Sequence, residues 1–433
     1  MLDINFIREN PDKVKKAIVD KQLSVNLDAF LLLDEKRRAL IVQIDEMRRS
    51  QNEFNKKVVN LTGAEKERFI VDMKVLSGDL KTKESEIAKI EKKYNEMSLM
   101  IPNIPSNDTP IGLDESGNVE IEKWGEPIKF DFNPKDHIAL GKDLNIIDLE
   151  KGVRTSGFRG YYLKNEAASL HMAVLMYSFN KMREKGFEVM ITPTILRDFA
   201  LVGSGHFPFG KDDIYELANT GKEVSAAEAK ETFYLGGTSE PSVLAYFADT
   251  VLDEADLPKM SCGFSQCYRN EVGSYGKDTK GLYRIHEFMK VEQVVLCKDD
   301  IRESDEWLEK LKVNSQEILK DLKLPHRVIQ VCTGDMGAGK RKMYDIETWM
   351  PSRGNYGETH SDSNLTDWQS RRLNIKYKTK DGQKKYVYAL NNTVIASPRI
   401  LIAILENNQN EDGSITVPEV LRPLCGFEKI PSR

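Results

Sequence analysis

The chain of 433 residues lacks long apolar runs and has little cysteine. No stretch approaches the roughly 20 consecutive apolar residues of a membrane-spanning helix, and the N-terminus has neither a basic head nor an apolar run. The five cysteines are irregularly spaced, without the clustered histidines of a zinc site. We therefore predict reduced thiols, a cytoplasmic location and no membrane partner.

Two common phosphate-binding loops are also missing. The sequence has neither Gly-x-x-x-x-Gly-Lys-Ser/Thr nor a Gly-x-Gly-x-x-Gly that follows a predicted strand. If the protein binds ATP, side chains must hold the phosphates. The net charge of −5 gives no global basic signal for nucleic acid, so any RNA partner must meet a local basic surface.

The first hundred residues predict two long helices that form an antiparallel coiled-coil hairpin. Apolar residues recur at heptad spacing, and Thr62-Gly63-Ala64-Glu65 offers a turn glycine and a capping box between the helices. Pro102 and Pro105 are predicted to end the second helix. The seam residues are Leu33, Leu40, Ile44, Met47, Phe54, Val58 and Leu61 in the first helix, and Phe69, Met73, Leu76, Leu80, Ile87, Ile90, Tyr94 and Met97 in the second.

The outer faces of this hairpin are rich in lysine and arginine, from Lys36 to Lys93. They suit either a solvated coiled-coil surface with interleaved acids or a basic arm along an RNA backbone, and the segment alone favours neither. Residues 104–145 are rich in Pro, Gly, Asn and Asp, as in a linker. We predict an N-terminal domain over residues 1–110 and a catalytic domain over residues 111–433.

The second domain predicts an α+β fold with an antiparallel sheet, because short strands follow one another without regularly intervening helices. Arg269 and Glu271 are two apart on one predicted strand and share a face. Arg284, Phe288 and Glu292 are separated by even steps on the predicted return strand, and residues 272–281 are predicted to form the loop between them. Singly, Phe288 suits core packing and each arginine suits a surface ion pair. Together these charged and aromatic residues do not suit a hydrophobic core, and they indicate a site for ATP. Arginine can bind phosphate through two parallel hydrogen bonds, and an aromatic ring can stack on adenine.

From Thr155 onward the chain resembles the catalytic domain of class II aminoacyl-tRNA synthetases, and specifically seryl-tRNA synthetases. A helix and strand ending at Pro193 resemble motif 1, Tyr268-Arg-Asn-Glu271 to Glu292 resembles motif 2, and Leu390-Asn-Asn-Thr393 to Ser397-Pro-Arg399 resembles motif 3. Gly236-Gly-Thr-Ser-Glu240 is similar to the family's serine loop. The N-terminal hairpin resembles the family's tRNA-binding arm, so the similarity covers nearly the whole chain.

The resemblance implies a role for each matching residue in ATP binding. Arg269 would bind the α-phosphate and Arg284 the γ-phosphate, while Phe288 and Arg399 would sandwich adenine. These three arginines would form the catalytic set. Glu271 would face the adenine amine or the tRNA end, and the sequence leaves both open. The implied ATP-binding set is Arg269, Asn270, Glu271, Ile285, Phe288, Glu358, Thr359, His360, Ser361 and Arg399.

Glu358 and Ser361 would also bind Mg²⁺, whose preference is for hard oxygen ligands. Serine selection would fall to Thr238, Ser239, Glu240, Glu292 and Thr393. Thr393 stands where relatives often have serine, and Asp362 adds a negative charge beside the implied metal site. His206 and His360 are interpreted as structural, and no general base is assigned.

The resemblance implies activation of L-serine with ATP and transfer of serine to the 3′ end of serine tRNA. It also implies a homodimer, because motif 1 usually builds the dimer interface, and transfer to selenocysteine tRNA where the organism has one. Three alternatives fit parts of the pattern: a ligase that loads a small amino acid onto a carrier protein, a catalytically dead interaction protein, and a class II synthetase for threonine or glycine. Such carrier ligases lack the long arm, and the three arginines argue against an inactive protein.

Overall fold

A computed structural model describes residues 1–58, 61–218, 232–272 and 280–433. The chain forms two compact units, one of residues 1–19 with 23–102 and the other of residues 20–22 with 103–433. Most of the loop predicted at 272–281 falls on residues 273–279, which lie outside the described part.

The first unit consists of two short helices, α1 (Ile4–Glu9) and α2 (Pro11–Asp20), followed by two long ones, α3 (Leu27–Lys57) and α4 (Gly63–Leu99). The long helices pack antiparallel. The rings of Phe54 and Phe69 lie 4.6 Å apart near the turn, and those of Phe30 and Tyr94 stack at 5.0 Å at the other end. The predicted hairpin is therefore present.

Its seam follows the predicted heptads, since Leu40, Ile44 and Leu80 are buried together and Met47, Ile87 and Ile90 pack against them. The predicted capping box is wrong. Thr62 precedes α4 at the N-cap position, but its side chain makes no capping hydrogen bond.

The described part of the second unit is built on an eight-stranded sheet. Its strands lie in the order β1 (Val119–Trp124), β10 (His326–Gln330), β11 (Lys342–Met350), β12 (Asn355–Thr366), β15 (Tyr388–Ser397), β9 (Glu287–Cys297), β8 (Lys259–Tyr268) and β4 (Glu188–Ile191). All neighbours are antiparallel except β4 and β8, which are parallel. The predicted α+β class with an antiparallel sheet is confirmed.

The remaining elements have the following bounds. The helices are α5 (His137–Asp143), α6 (Leu149–Ser156), α7 (Asn165–Glu184), α8 (Asp198–Ser204), α9 (Glu240–Tyr246), α10 (Ile301–Asp321), α11 (Ser370–Leu373), α12 (Arg399–Asn407) and α13 (Arg422–Cys425). The strands outside the eight-stranded sheet are β2 (Ile147–Asp148), β3 (Tyr162–Leu163), β5 (Ile195–Arg197), β6 (Phe233–Leu235), β7 (Val251–Asp253), β13 (Lys376–Lys378), β14 (Lys384–Tyr386), β16 (Ile415–Thr416) and β17 (Lys429–Ile430).

Helices α7, α10 and α12 pack on the sheet and enclose the main apolar core, which includes Leu170, Leu311, Val295 and Leu401. Successive side chains on a strand point to opposite faces of the sheet. Strand residues that neighbour core residues in the sequence therefore point to the face away from these helices. Among the described residues, no helix has both the length and the apolar character needed to cross a bilayer.

Two predictions about the strands are wrong. The strand predicted to contain Arg269 and Glu271 ends at Tyr268, before both residues, and Glu271 has a left-handed backbone with φ of 53°. The return strand begins only at Glu287, so Arg284 precedes it and shares no strand face with Phe288 and Glu292.

Candidate active site

A cavity of about 240 Å³ lies against the sheet face formed by the neighbouring strands β9, β15 and β12. It draws side chains from segments that are far apart in the sequence. Most of the predicted site residues line it together: Thr238, Glu240, Arg269, Glu271, Ile285, Phe288, Glu292, Glu358, Thr359, His360, Ser361, Thr393 and Arg399.

A buried carboxylate lies at the centre of the predicted serine subsite. The register of β9 and β15 pairs Glu292 with Thr393, and the Thr393 hydroxyl donates a hydrogen bond to Glu292 Oε2 at 3.1 Å. Lys290, two residues earlier on the same strand face, places its ammonium 2.7 Å from the same oxygen. Burial raises the pKa of Glu292, while Lys290 and Thr393 act in the opposite direction.

A second buried carboxylate, Glu240, begins helix α9. Gln369 and Asn391 donate hydrogen bonds to its Oε1 at 2.6 and 2.9 Å, which fixes the position of the carboxylate. Thr238 Oγ1 accepts from the backbone N–H of Glu240 at 3.4 Å. The side chain of Ser239 points to the sheet and not to the cavity. Its hydroxyl donates a hydrogen bond to the carbonyl of Gly263 at 3.3 Å and holds the turn against β8.

Two further residues of motif 2, Arg269 and Phe288, line the same cavity. The guanidinium of Arg269 lies 5.5 Å from the Phe288 ring centroid, and its Nε donates to the Gly237 carbonyl at 3.4 Å. Arg284 is not a lining residue of the cavity, but its Nη1 forms an ion pair with Glu271 Oε2 at 3.2 Å. Asn270 turns away, since its amide donates to the carbonyl of Asp212 at 3.2 Å.

Arg399 follows motif 3 and begins helix α12. Its Nε donates to the Tyr283 carbonyl at 2.9 Å, its guanidinium lies 4.5 Å from the Tyr283 ring centroid, and its Nη1 donates to the Glu358 carbonyl at 3.1 Å. These contacts join motif 3 to the segment before β9 and to β12.

The predicted metal ligands lie beside an additional carboxylate. Ser361 on β12 pairs in register with Asp345 on β11. Desolvation of the half-buried Asp345, together with the charge of Glu358, raises its pKa well above the usual range, whereas a hydrogen bond from Ser361 acts in the opposite direction. Within the described part of the chain, one Asp345 oxygen is buried and has no hydrogen-bond partner. The set of two carboxylates and a hydroxyl therefore suits a hard cation such as Mg²⁺, which would offset their repulsion.

Both ring nitrogens of the histidine beside this set, His360, contact other groups of the protein. His360 is buried, contacts Thr359 Oγ1 at 2.8 Å and the Val394 carbonyl at 3.1 Å, and has its pKa lowered to about 3 by burial. Asp362 lies on the other face of β12, as does Asn364, which donates to Asp305 of α10 at 3.1 Å. The expected negative charge next to the metal ligands is therefore wrong, and burial raises the pKa of Asp362 well above its usual range.

Several lining residues were absent from the predicted set: His206, Tyr283, Lys290, Lys340, Asn391, Ala396 and Ser397. Lys290 carried a usable signal, because it lies midway between Phe288 and Glu292 at the same even spacing. Lys340 had none, since its loop is distant in sequence from the three motifs.

Comparison with known proteins agrees with this geometry. Residues 223–408 match the tRNA synthetase class II core domain (G, H, P, S and T), and residues 1–105 match the seryl-tRNA synthetase N-terminal domain. The antiparallel sheet, its three motifs and these matches define a class II aminoacyl-tRNA synthetase.

Relatives that align over the full length of the chain identify the family within this class of synthetases. The chain is 42% identical over 436 residues to a serine--tRNA ligase of Borrelia garinii, covering 100% of this chain and 99% of the relative. It is 42% identical over 430 residues to that of Deinococcus radiodurans, with 99% of each chain covered. The crystal structure of seryl-tRNA synthetase from Pyrococcus horikoshii complexed with ATP aligns with a TM-score of 0.89 at 34% identity, covering 100% of both chains. The chain belongs to the seryl-tRNA synthetase family.

Proposed function

We propose that the described cavity carries out both steps of serine–tRNA ligation. Serine carboxylate attacks the α-phosphorus of ATP, which releases pyrophosphate and leaves seryl-adenylate. A terminal ribose hydroxyl of tRNA then attacks the acyl carbon, and AMP leaves. The observation that carries the proposal is one cavity lined by arginines, an aromatic ring and two buried carboxylates, each fixed by neighbouring side chains.

Serine would bind where Glu240, Glu292 and Thr393 converge. Carboxylates accept from the ammonium and the hydroxyl of serine, and alanine would leave the lone pair that accepts the hydroxyl without this donor. A site built for a hydroxyl can reject its deoxy analogue by roughly 10⁴–10⁵-fold. Thr238 and the Ser239 turn would set the position of Glu240 at the start of α9.

ATP would bind along the arginine-rich part of the cavity. Arg269 would contact the α-phosphate, Arg284 the γ-phosphate, and Arg399 one face of adenine opposite Phe288. Ile285, Thr359 and His360 complete the proposed surroundings of the nucleotide, whereas Asn270 contacts Asp212 and is left out of this set. Because Glu271 pairs with Arg284 at 3.2 Å, we infer that Glu271 holds this arginine until phosphate binds.

Mg²⁺ would be held by Glu358 and Ser361, with Asp345 beside them, and it would neutralise charge on the phosphate oxygens. Among the described residues, no group of three or more His, Cys, Asp or Glu side chains is arranged to hold a metal on its own, so ATP itself would supply part of the ligation. Glu358→Gln should raise the Mg²⁺ concentration needed for half-maximal activity; an unchanged requirement would remove Glu358 from the set.

One edge of the sheet supports a homodimer. Among the described residues, β4 is an edge strand on which Ile191 is 80% exposed, and Met172 and Met176 of the preceding helix α7 are exposed to lesser extents. Such an apolar surface beside a free strand edge suits a second copy of the chain. A monomeric mass in analytical ultracentrifugation would contradict this proposal. We place the protein in the cytoplasm, because its tRNA and ATP substrates occur together there.

Radiolabelled serine and unfractionated tRNA provide the direct test of the whole reaction. Acid-precipitable serine that depends on ATP supports the proposal. Serine-dependent pyrophosphate release without labelled tRNA would support activation and exclude tRNA as the acceptor used.

A further inference from the structure

A histidine in α5 connects the helix that follows motif 3 to the backbone of motif 2. His137 and Glu406 are both buried. Glu406, in α12, accepts hydrogen bonds from the backbone N–H of His137 at 3.0 Å and from its Nδ1 at 2.9 Å. The hydroxyl and the backbone N–H of Ser352 donate to the same carboxylate at 2.8 and 3.0 Å.

The other ring nitrogen of His137 accepts a hydrogen bond. The backbone N–H of Leu282 is 3.1 Å from His137 Nε2, and a backbone N–H only donates. Nε2 therefore carries no proton, and Nδ1 carries the one that points at Glu406. The buried carboxylate of Glu406 thus selects the His137 tautomer with its proton on Nδ1. In this tautomer Nε2 is free to accept the hydrogen bond from the Leu282 N–H.

Leu282 begins a segment that carries much of the ATP subsite but lies outside the sheet, since β9 starts at Glu287. The Tyr283 carbonyl accepts a hydrogen bond from Arg399, whose guanidinium also lies over the Tyr283 ring. Arg284 forms an ion pair with Glu271, and Ile285 lines the cavity. At its far end the His286 carbonyl accepts from the Arg269 N–H at 2.9 Å. The Leu282 bond to His137 holds the near end.

Gly281 fits closely against the same histidine. It has φ of 72°, and a Cβ at this position would overlap His137 Nε2. Glycine therefore allows the backbone to approach the imidazole and make the Leu282 bond.

We propose that His137 is a positioning residue for ATP, oriented by Glu406, and that it acts by holding the Leu282 backbone so that Tyr283, Arg284 and Ile285 meet the nucleotide. The inference rests on the proposed function. It concerns ATP alone, because Glu240, Glu292 and Thr393 belong to other segments.

Two substitutions separate the two bonds of His137. In H137N the amide NH₂ overlays Nδ1, which keeps a donor for Glu406 and removes the acceptor for Leu282. In H137Q the amide oxygen reaches the position of Nε2, which keeps that acceptor and removes the donor. We expect H137N to raise the KM for ATP about tenfold, the scale of an unsatisfied buried N–H, with the KM for serine within twofold of the parent. H137Q should raise the KM for ATP less than threefold.

Ser352→Ala is the matched control, because it removes one donor from Glu406 and leaves the Leu282 bond in place. Its KM for ATP should stay within twofold, and thermal unfolding of each variant checks that the fold persists. Should H137N fail to fold, G281A tests the same contact and should raise the KM for ATP with little change for serine. Equal ATP effects in H137N and H137Q, or an effect of S352A as large as that of H137N, would overturn the inference. Failure of the parent protein to exchange pyrophosphate with serine would instead count against the proposed function.

Discussion

The Thr393 hydroxyl donates a hydrogen bond to Glu292 Oε2 at 3.1 Å across the β9–β15 pair. Lys290 lies 2.7 Å from that same oxygen, so one buried carboxylate oxygen is held from two sides. A carboxylate held in this way is ready to accept a substrate hydroxyl without rearranging. The pair is therefore the part of the cavity that should distinguish serine from alanine.

Thr393→Ala should weaken this discrimination. Removing the hydroxyl leaves Glu292 short of a donor and its position less defined, so we expect serine selectivity over alanine to fall by about tenfold or more. The measurement is kcat/KM for both amino acids in ATP–pyrophosphate exchange. Thr393→Ser is the matched control because it keeps the hydroxyl, and it should retain selectivity. Unchanged selectivity in T393A would place the hydroxyl contact elsewhere.

Arg269→Ala should abolish adenylate formation while the protein stays folded. Arg269 follows the end of β8 at the cavity, and loss of one donor that stabilises developing charge typically costs roughly 10²–10³-fold in rate. Pyrophosphate exchange and thermal unfolding should be compared with those of Arg302→Ala, which removes an arginine whose side chain is 90% exposed. Near-parental exchange in R269A would remove it from its proposed role.

Deletion of residues 35–95 should separate the two steps of the reaction. The stacked rings of Phe30 and Tyr94 show that the two helices lie side by side near the points of deletion, so a short glycine–serine linker can rejoin the chain. We expect serine-dependent exchange within about threefold of the parent and charging of tRNA lowered about a hundredfold or more, because phosphate contacts supply affinity for RNA. Survival of tRNA charging would show that the hairpin is not the tRNA-binding element.

Buried histidines should make stability depend on pH. Burial lowers the pKa of His171 to about 4, against about 6.5 in an unfolded chain. Between these values the unfolded state binds a proton that the folded state does not, so the free energy of unfolding falls as pH falls, by about 1.4 kcal/mol per pH unit for this group. His171→Asn should make the decline between pH 5.5 and 4.5 shallower by about that amount in urea unfolding. An identical slope would show that His171 titrates normally in the folded protein.

Much of the fold followed from local sequence signals. The heptads that place Leu40, Ile44 and Leu80 in one seam predicted the hairpin, since a period of 3.5 residues is readable over long helices. Strand β12 carries no alternating strand pattern in the sequence, although it lies in the middle of the sheet. Its segment from Asn355 to Thr366 is mostly polar, and residues such as Ser363 and Asn364 are buried there by contacts from other elements, which no local pattern reveals.

The site shows the same division. Resemblance to the family located most of the lining residues, yet Arg284 was assigned to a strand that begins three residues later. The segment from Leu282 to His286 takes its conformation from His137 and Arg269, the first of which is far away in the sequence. Contacts of this kind depend on the folded chain and leave no periodic signal.

Amino-acid-dependent ATP–pyrophosphate exchange, measured without tRNA for all twenty amino acids, tests the central claim most directly. It reports the first step alone and identifies the amino acid that the cavity accepts. Exchange with serine well above every other amino acid is the predicted result. Exchange with alanine or glycine in its place would favour the carrier-protein ligase, and no exchange with any amino acid would contradict an activating enzyme.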